Sequence, residues 1–337
     1  MRAIVLTGYG GPERVEARDV PAPRPGPGQV LVEVHAAGVN PLDFKIRDGK
    51  LRVLRRYNLP VVMGNELSGR IAEIGPGVTR FSPGEEVFVR VAHADLGAFA
   101  ELAVVREGHL AKKPDNISMV EAAAVPLAAL TAWQCLDMLG VVAGMRVLVH
   151  AGVGGVGSFA VQLAKARGAR VITTCSTRNV ELAQSLGADE VIDYTTERFE
   201  EKVCDLPAVL DTVGGETLAR SFAVVARGGK LVSIAGPPEP GTATRSGFGG
   251  AIGALFWLAS FGVRKLARQR GVTYAYHFMH PDGRELDVIG ELIAGGKVRV
   301  LIDKVYPLEA AREALAHVES GRTRGKVVLA VRGEGAG

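Results

Sequence analysis

The sequence predicts an α/β protein of two domains, a small all-β barrel or sandwich joined to a doubly wound parallel sheet. Three observations carry the prediction. Over roughly the first 110 residues, short apolar runs alternate with Gly/Pro turns, the pattern of a small barrel or sandwich. After that, β-branched runs alternate with segments of helical length, which implies right-handed crossovers and parallel strands. At the head of that second region, Val147–Gly157 reads V-L-V-H-A-G-V-G-G-V-G. This is a strand running into glycines with Gly-x-Gly-x-x-Gly spacing at Gly152, Gly154 and Gly157, and a helix pattern follows at once.

The elements follow in order. Ala3–Leu6, Val30–Val34, Arg70–Ile74 and Val87–Val91 read as strands, with turns at Pro21–Gly28, Gly75–Gly77 and Pro83–Gly84. Ile117–Leu139 is alanine-rich and reads as one helix opened by Asp115 or Asn116. Arg146–His150 is a strand, and Val156–Arg167 a helix ended by Gly168. Arg170–Thr174 is the next strand, and Asn179–Leu186 a helix ended by Gly187. Strands Glu190–Asp193, Ala208–Val213 and Lys230–Ala235 follow, with a helix from Glu216 to Ala226. The tail returns to helix (Glu285–Ala294), strand (Val300–Val305), helix (Leu308–Glu319) and a last strand (Val327–Val331), and the final strands are expected to rejoin the N-terminal domain.

At 337 residues, 47% apolar and 23% charged, the composition is that of an ordinary globular chain of about two domains. A net charge of +4 without a basic tract argues against a nucleic-acid partner. Three cysteines with no Cys-x-x-Cys pair argue against a disulfide framework and a cysteine-rich zinc lobe. The N-terminus enters a strand at once, so no secretory signal is expected and a cytoplasmic location follows as the default.

The glycine turn is read as a dinucleotide site. Glycines let the backbone approach a pyrophosphate, and the helix N-terminus offers free N–H groups to it. An NAD site usually carries an acid at the end of the second strand, for the ribose 2′-hydroxyl. Here that region reads Thr173-Thr174-Cys175-Ser176-Thr177-Arg178. It has no acid, and Arg178 can clamp a 2′-phosphate, so NADPH is the expected coenzyme.

Further motifs are G-V-N-P-L-D (Gly38–Asp43), G-N-E-L-S-G (Gly64–Gly69), A-A-A-V-P-L-A-A-L-T-A-W (Ala122–Trp133), L-G-A-D-E-V-I-D-Y (Leu186–Tyr194) and G-K-V-V-L (Gly325–Leu329). With the glycine turn, they make the chain resemble the medium-chain dehydrogenase/reductases, on the zinc-free quinone oxidoreductase branch, over essentially its whole length. Within that branch, the insert Gly247–Tyr276 and the following His277–Gly283 are similar to the mitochondrial reticulon-interacting oxidoreductase and related bacterial NADPH reductases. The resemblance implies a GroES-like barrel (residues 1–115 and 281–337) and a Rossmann domain (116–280, including an apolar insert 247–276). It also implies NADPH in the cleft between them and commonly a homodimer. By position, it places Asn40 beside the nicotinamide and Thr131 near its ribose or phosphates. Gly152, Val153, Gly154, Gly155, Val156 and Gly157 cover the pyrophosphate. Ser176, Arg178 and Tyr194 surround the adenosine 2′-phosphate and ribose. Gly236 and Tyr276, His277 and Phe278 hold the nicotinamide side, and Lys326 reaches the coenzyme from the barrel.

Zinc-dependent relatives carry Cys where this chain has Asn40 and His where it has Asn65, and amides are poor zinc ligands. No metal is expected. His277 and His280 lie three apart, but Pro281-Asp282-Gly283 makes a turn there, and the seven histidines are otherwise scattered, His93 among them. Without a Lewis acid to stabilise an alkoxide, the expected acceptor is already electrophilic: a quinone or an α,β-unsaturated carbonyl. Asn40 is the expected orienting residue. Family quinone reductases often carry a tyrosine soon after G-V-N; Ile46–Leu51 has none, which leaves Tyr57 as a candidate donor beside Asp43, Lys45 and water. A non-catalytic NADPH-binding partner protein is the alternative function. Phe248–Val263 is the most apolar run and is followed by Arg264, Lys265, Arg268 and Arg270. It is read as a helical lid or a dimer contact, with a membrane-surface helix as the alternative.

Overall fold

The structure is a computed structural model that describes residues 1–92 and 95–332; His93 and residues 333–337 lie outside the described part. The chain divides into two units, Met1–Leu130 with His280–Gly337, and Thr131–Met279. The contacts divide the chain after Leu130, whereas the change in sequence character lies near Asn116. The predicted helix Ile117–Leu139 is also two helices, Met119–Ala123 and Pro126–Leu139. Pro126 has no N–H to continue the first ladder, and Ser118, not Asp115 or Asn116, caps it, in a reciprocal box with Glu121.

In the first unit, a seven-stranded sheet runs Ile302–Pro307, Lys326–Ala330, Gln29–Val39, Glu66–Ile74, Glu86–Arg90, Leu110–Lys112, with Leu102–Arg106 also paired on Gln29–Val39. A three-stranded sheet (Val15–Asp19, Arg2–Leu6, Val61–Val62) completes the β structure. Alternate residues of these strands, such as Val30, Val32 and Val34, point into one apolar core with Leu67, Val87, Val89, Phe99, Leu315 and Leu329. As expected, the final strand Lys326–Ala330 rejoins this unit, antiparallel to Gln29–Val39.

The second unit holds a six-stranded, wholly parallel sheet. Its order is Glu190–Asp193, Arg170–Cys175, Arg146–Val149, Leu206–Asp211, Val225–Ser233, Thr273–Tyr276. The first strand in sequence lies inside the sheet and the order reverses beside it, which is the doubly wound arrangement. Two elements depart from the sequence reading. The helix expected to reach Ala226 ends at Ser221, and the strand expected from Lys230 starts at Val225. Val224 and Val225 are buried in the sheet's core cluster, so burial of β-branched residues overrides the helical pattern there. The edge strand Thr273–Tyr276 lies within the predicted insert and is an element the sequence reading lacks.

Candidate functional site

In the second unit, strand Arg146–Val149 feeds the turn Ala151–Gly154, and helix Gly155–Ala166 leaves it. The first intrahelical bond runs from the Ser158 N–H to the Gly154 carbonyl, so the N–H groups of Gly155, Val156 and Gly157 precede the ladder. Two of the three motif glycines have no room for a side chain. A Cβ on Gly152 would lie 2.0 Å from Thr173 Oγ1, and one on Gly157 would lie 2.1 Å from the Ala151 carbonyl oxygen. Gly154 is the helix N-cap, where a Cβ would meet the Ala151 oxygen at 3.3 Å. Ala151 takes the left-handed conformation at φ 53°, which completes the sharp turn. The backbone amides are thus bared at a helix N-terminus, and the residues present fit a pyrophosphate.

The strand ends around this turn place the other predicted residues. Cys175 pairs with Asp193, and the Tyr194 N–H donates to the Cys175 carbonyl, which sets Tyr194 beside Ser176. Ser176 Oγ accepts from Asn179 Nδ2 at 3.1 Å, and Tyr194 is 61% exposed. Arg178 is exposed in the short helix Thr177–Asn179 that follows. Further along the sheet, the Gly236 N–H donates to Ser233 Oγ, which itself donates to Asp211 Oδ2. The Tyr276–Phe278 loop is pinned by Tyr276 OH to the Ile234 carbonyl (3.2 Å), the His277 N–H to the Ser233 carbonyl (2.9 Å), and His277 Nε2 to Gln134 Oε1 (2.9 Å). Burial raises the Tyr276 hydroxyl to about 12. Thr131 is buried at the head of the unit.

His150, at the mouth of the glycine turn, is a residue whose part the sequence did not reveal. It is fully buried, with Nε2 2.9 Å from Ser221 Oγ and Nδ1 3.2 Å from Thr174 Oγ1. Ser221 Oγ already donates to the Thr217 carbonyl, so it accepts from the ring, and Nδ1 is the bare acceptor. This network assigns the neutral Nε2–H tautomer, and burial holds the imidazole well below its ordinary pKa. Thr174 Oγ1 also accepts from the Ala151 N–H, so the histidine braces the start of the turn.

The first unit builds a different cluster, and strand register explains it. Val327 lies opposite Val39, so Lys326 comes across from Asn40, while Leu67 opposite Ala37 brings Glu66 across from Gly38. Lys326 Nζ donates to Glu66 Oε1 at 2.7 Å and to Asn40 Oδ1. Asn40 Nδ2 donates to Glu66 Oε1 at 2.7 Å and, more weakly, to the Gly38 carbonyl at 3.3 Å. Glu66 Oε2 accepts from the Leu127 N–H at 2.6 Å. Asp43 accepts from the Asn40 N–H (2.7 Å) and from Asn65 Nδ2 (2.6 Å). Asn40, Asp43, Asn65, Glu66 and Lys326 are all at least 96% buried. Burial is the main cause that lifts the Asp43 carboxyl to about 6, against the pull of its two hydrogen bonds. The Arg90 guanidinium, also fully buried, is lowered to about 10 by desolvation, offset by Glu66 and Asp43.

Asn40, Asp43, Asn65, Glu66 and Lys326 therefore form one network, with Asn65 joined to it through Asp43. Tyr57 is half-buried, its N–H donates to Tyr9 OH, and its hydroxyl is raised by burial within electrostatic range of Arg90 and Asp43. The part played by Glu66 was not apparent from sequence, which offered Asp43 only as a candidate donor. An ammonium bonded to the amide and the carboxylate opposes a divalent cation there. Among the described residues, a triad of His280, Asp282 and Glu285 brings ligand atoms within 4.8 Å, but Asp282 Oδ1 is committed to capping helix Gly283–Ala294 through the N–H groups of Arg284 and Glu285.

Residues 26–115 match the family described as alcohol dehydrogenase GroES-like domain, and residues 186–329 the family described as zinc-binding dehydrogenase. The mitochondrial NAD(P)H oxidoreductase RTN4IP1 of Mus musculus is 36% identical over 328 residues, 90% of this chain and 82% of the relative. The chloroplast envelope quinone oxidoreductase homolog of Arabidopsis thaliana is 31% identical over 342 residues, 98% of each chain. Among solved structures, the quinone oxidoreductase from Coxiella burnetii superposes with a TM-score of 0.85 at 32% identity, over 98% of this chain and 99% of its own. The Escherichia coli quinone oxidoreductase complexed with NADPH gives 0.81 at 28% identity, over 98% and 100%.

Proposed function

The chain belongs to the medium-chain dehydrogenase/reductase family, among the quinone oxidoreductases, and from that premise we propose that it is an NADPH-dependent reductase of a quinone or an α,β-unsaturated carbonyl that works without zinc. The observation that carries the reading is the turn Ala151–Gly157, where Gly152 and Gly157 leave no space for a side chain and three amides are bared at a helix N-terminus. Gly152 through Gly157 hold the pyrophosphate, while Ser176, Arg178 and Tyr194 receive the 2′-phosphate end. Gly236 and the Tyr276–Phe278 loop hold the nicotinamide side, with Thr131 near its ribose or phosphates. When bound, the reduced coenzyme supplies a hydride; the protein supplies orientation and exclusion of water. Asn40, fixed by Lys326 and Glu66, orients the carboxamide or the acceptor oxygen. Tyr57 is the proposed proton donor: a phenol carries its proton at neutral pH, and burial raises its pKa further. Two amides, Asn40 and Asn65, stand at the positions that thiolate and imidazole would need, and the Lys326 ammonium is bonded to Asn40 and Glu66, so no zinc is expected despite the family's description.

The test is NADPH oxidation against a panel of quinones and enones, with Arg178→Asp beside the wild type. The wild type should turn over several acceptors with NADPH, and the variant should lose affinity for NADPH by about tenfold or more while NADH changes little. Saturable NADPH binding with no turnover on any acceptor would instead identify a binding module. Equal losses for both coenzymes would remove Arg178 from the 2′-phosphate.

A further inference from the structure

The segment Phe248–Val263 carries no charged residue, and the chain has no acid between Glu239 and Asp282. Cations follow the apolar run at once: Arg264, Lys265, Arg268 and Arg270. The structure folds this stretch into two helices, Gly250–Ala259 and Phe261–Arg270, bent by 66° at Ser260. Only one narrow face is used internally. Phe256 packs against Phe248 and Phe278, and Ala267, with Val263 and Leu266, joins the core of the second unit.

The opposite face is bare. Leu255 is 45% exposed, Trp257 49%, Leu258 66% and Phe261 59%. Elsewhere among the described residues, large exposed apolar side chains occur singly along the chain, and four within seven residues form a patch. Leu255, Leu258 and Phe261 are spaced three apart, so they share a stripe that runs to the bend. Phe261, Lys265 and Arg268 then share the exposed face of the second helix, which joins the apolar stripe to its cations. Arg264 ties the two together. Its guanidinium lies 5.1 Å over the Trp257 ring and donates to the Trp257 carbonyl at 2.8 Å.

We propose that the bent helix pair Gly250–Arg270 docks this protein on an anionic membrane surface, with Leu255, Trp257, Leu258 and Phe261 at the acyl boundary and Arg264, Lys265, Arg268 and Arg270 on lipid phosphates. Charge decides the occupant. A second copy seated on this patch would bring like charges together with no acid in the segment to answer them. An anionic leaflet supplies the missing counter-charge. Among the described residues no single helix is long and apolar enough to cross a bilayer; the bent pair reaches that length only when its two halves are taken together, and the four cations that end it favour a seat at the lipid phosphates over a span.

The experiment is co-sedimentation of the full chain with vesicles of phosphatidylcholine alone or with about 30% phosphatidylglycerol, at low salt and at about 0.5 M salt. The protein should pellet with the anionic vesicles roughly tenfold better than with neutral ones, and high salt should remove most of that difference. Trp257 emission should shift to the blue on binding. Leu258→Asp with Phe261→Asp should abolish pelleting with its melting temperature held. Lys265→Glu with Arg268→Glu, a milder change, should remove the preference for anionic lipid. Equal pelleting with both vesicle types, or none with either, overturns the proposal. So does a dimer in sedimentation equilibrium that dissociates in the Leu258→Asp, Phe261→Asp variant while vesicles bind neither form, since the patch then belongs to a second copy.

Discussion

Asp43 illustrates how a single buried group acquires an unusual pH dependence. Its carboxyl is lifted to about 6 in the native state, against an ordinary value of 3.8, and burial is the leading cause. Between those values the folded chain binds the proton more tightly than the unfolded chain. The group's contribution to stability is therefore fully present below the unfolded pKa and is lost as pH rises through about 6, the reverse of an ion-paired aspartate. Asp43→Asn removes the titration and one of the two accepted hydrogen bonds, because the amide nitrogen only donates. The stability gap between wild type and this variant, from urea unfolding, should shrink by about 2 kcal/mol between pH 4.5 and 7. A gap that stays constant across that range would show that the carboxyl titrates normally. The same cluster shows why sequence alone hides a site: Asn40, Glu66 and Lys326 are brought together only by the register of three strands. Nothing local to any of them signals the other two.

At the level of elements, legibility follows the range of the cause. The glycine turn was legible because two of its glycines answer a local steric demand: a Cβ at Gly152 or Gly157 would collide with Thr173 or with the Ala151 carbonyl. The break at Pro126 was also written locally, yet the alanine-rich run on both sides masked it. Strand Thr273–Tyr276 exists because Val232 and its neighbours offer an edge to pair with, which no window around Thr273 contains. The contrast within the turn is measurable. Gly157→Ala meets only backbone atoms, which cannot move aside, and should cost about 3 kcal/mol or more; Gly154→Ala meets one oxygen at a tolerable distance and should cost under about 1.5 kcal/mol. Urea unfolding of the two variants gives the comparison, and similar losses would mean that the turn relaxes around either methyl group.

At the scale of the whole molecule, the two units differ in how the chain builds them. The first is assembled from both ends: strand Lys326–Ala330 pairs with Gln29–Val39 across nearly the full sequence. The few strands in the tail make that return legible in the sequence, and a change of composition near Asn116 marks the end of the first β-rich region. Contacts put the unit boundary after Leu130, because Met119–Ala123 packs on the barrel strands Gln29–Val39 and Glu66–Ile74. The second unit, Thr131–Met279, is one continuous stretch with its own parallel sheet and its own apolar cluster, including Leu148, Ile172, Val209, Leu218, Phe222 and Leu231. A contiguous segment of that size with a closed core meets the requirements for independent folding. Expressed alone, residues 131–279 should unfold cooperatively on heating, as followed by circular dichroism. The fragment should also retain saturable NADPH binding, weakened by loss of whatever the barrel residues contribute. A non-cooperative melt would mean that the parallel sheet depends on the barrel for its stability. A cooperative melt without NADPH binding would instead place the coenzyme's main anchors outside the glycine turn.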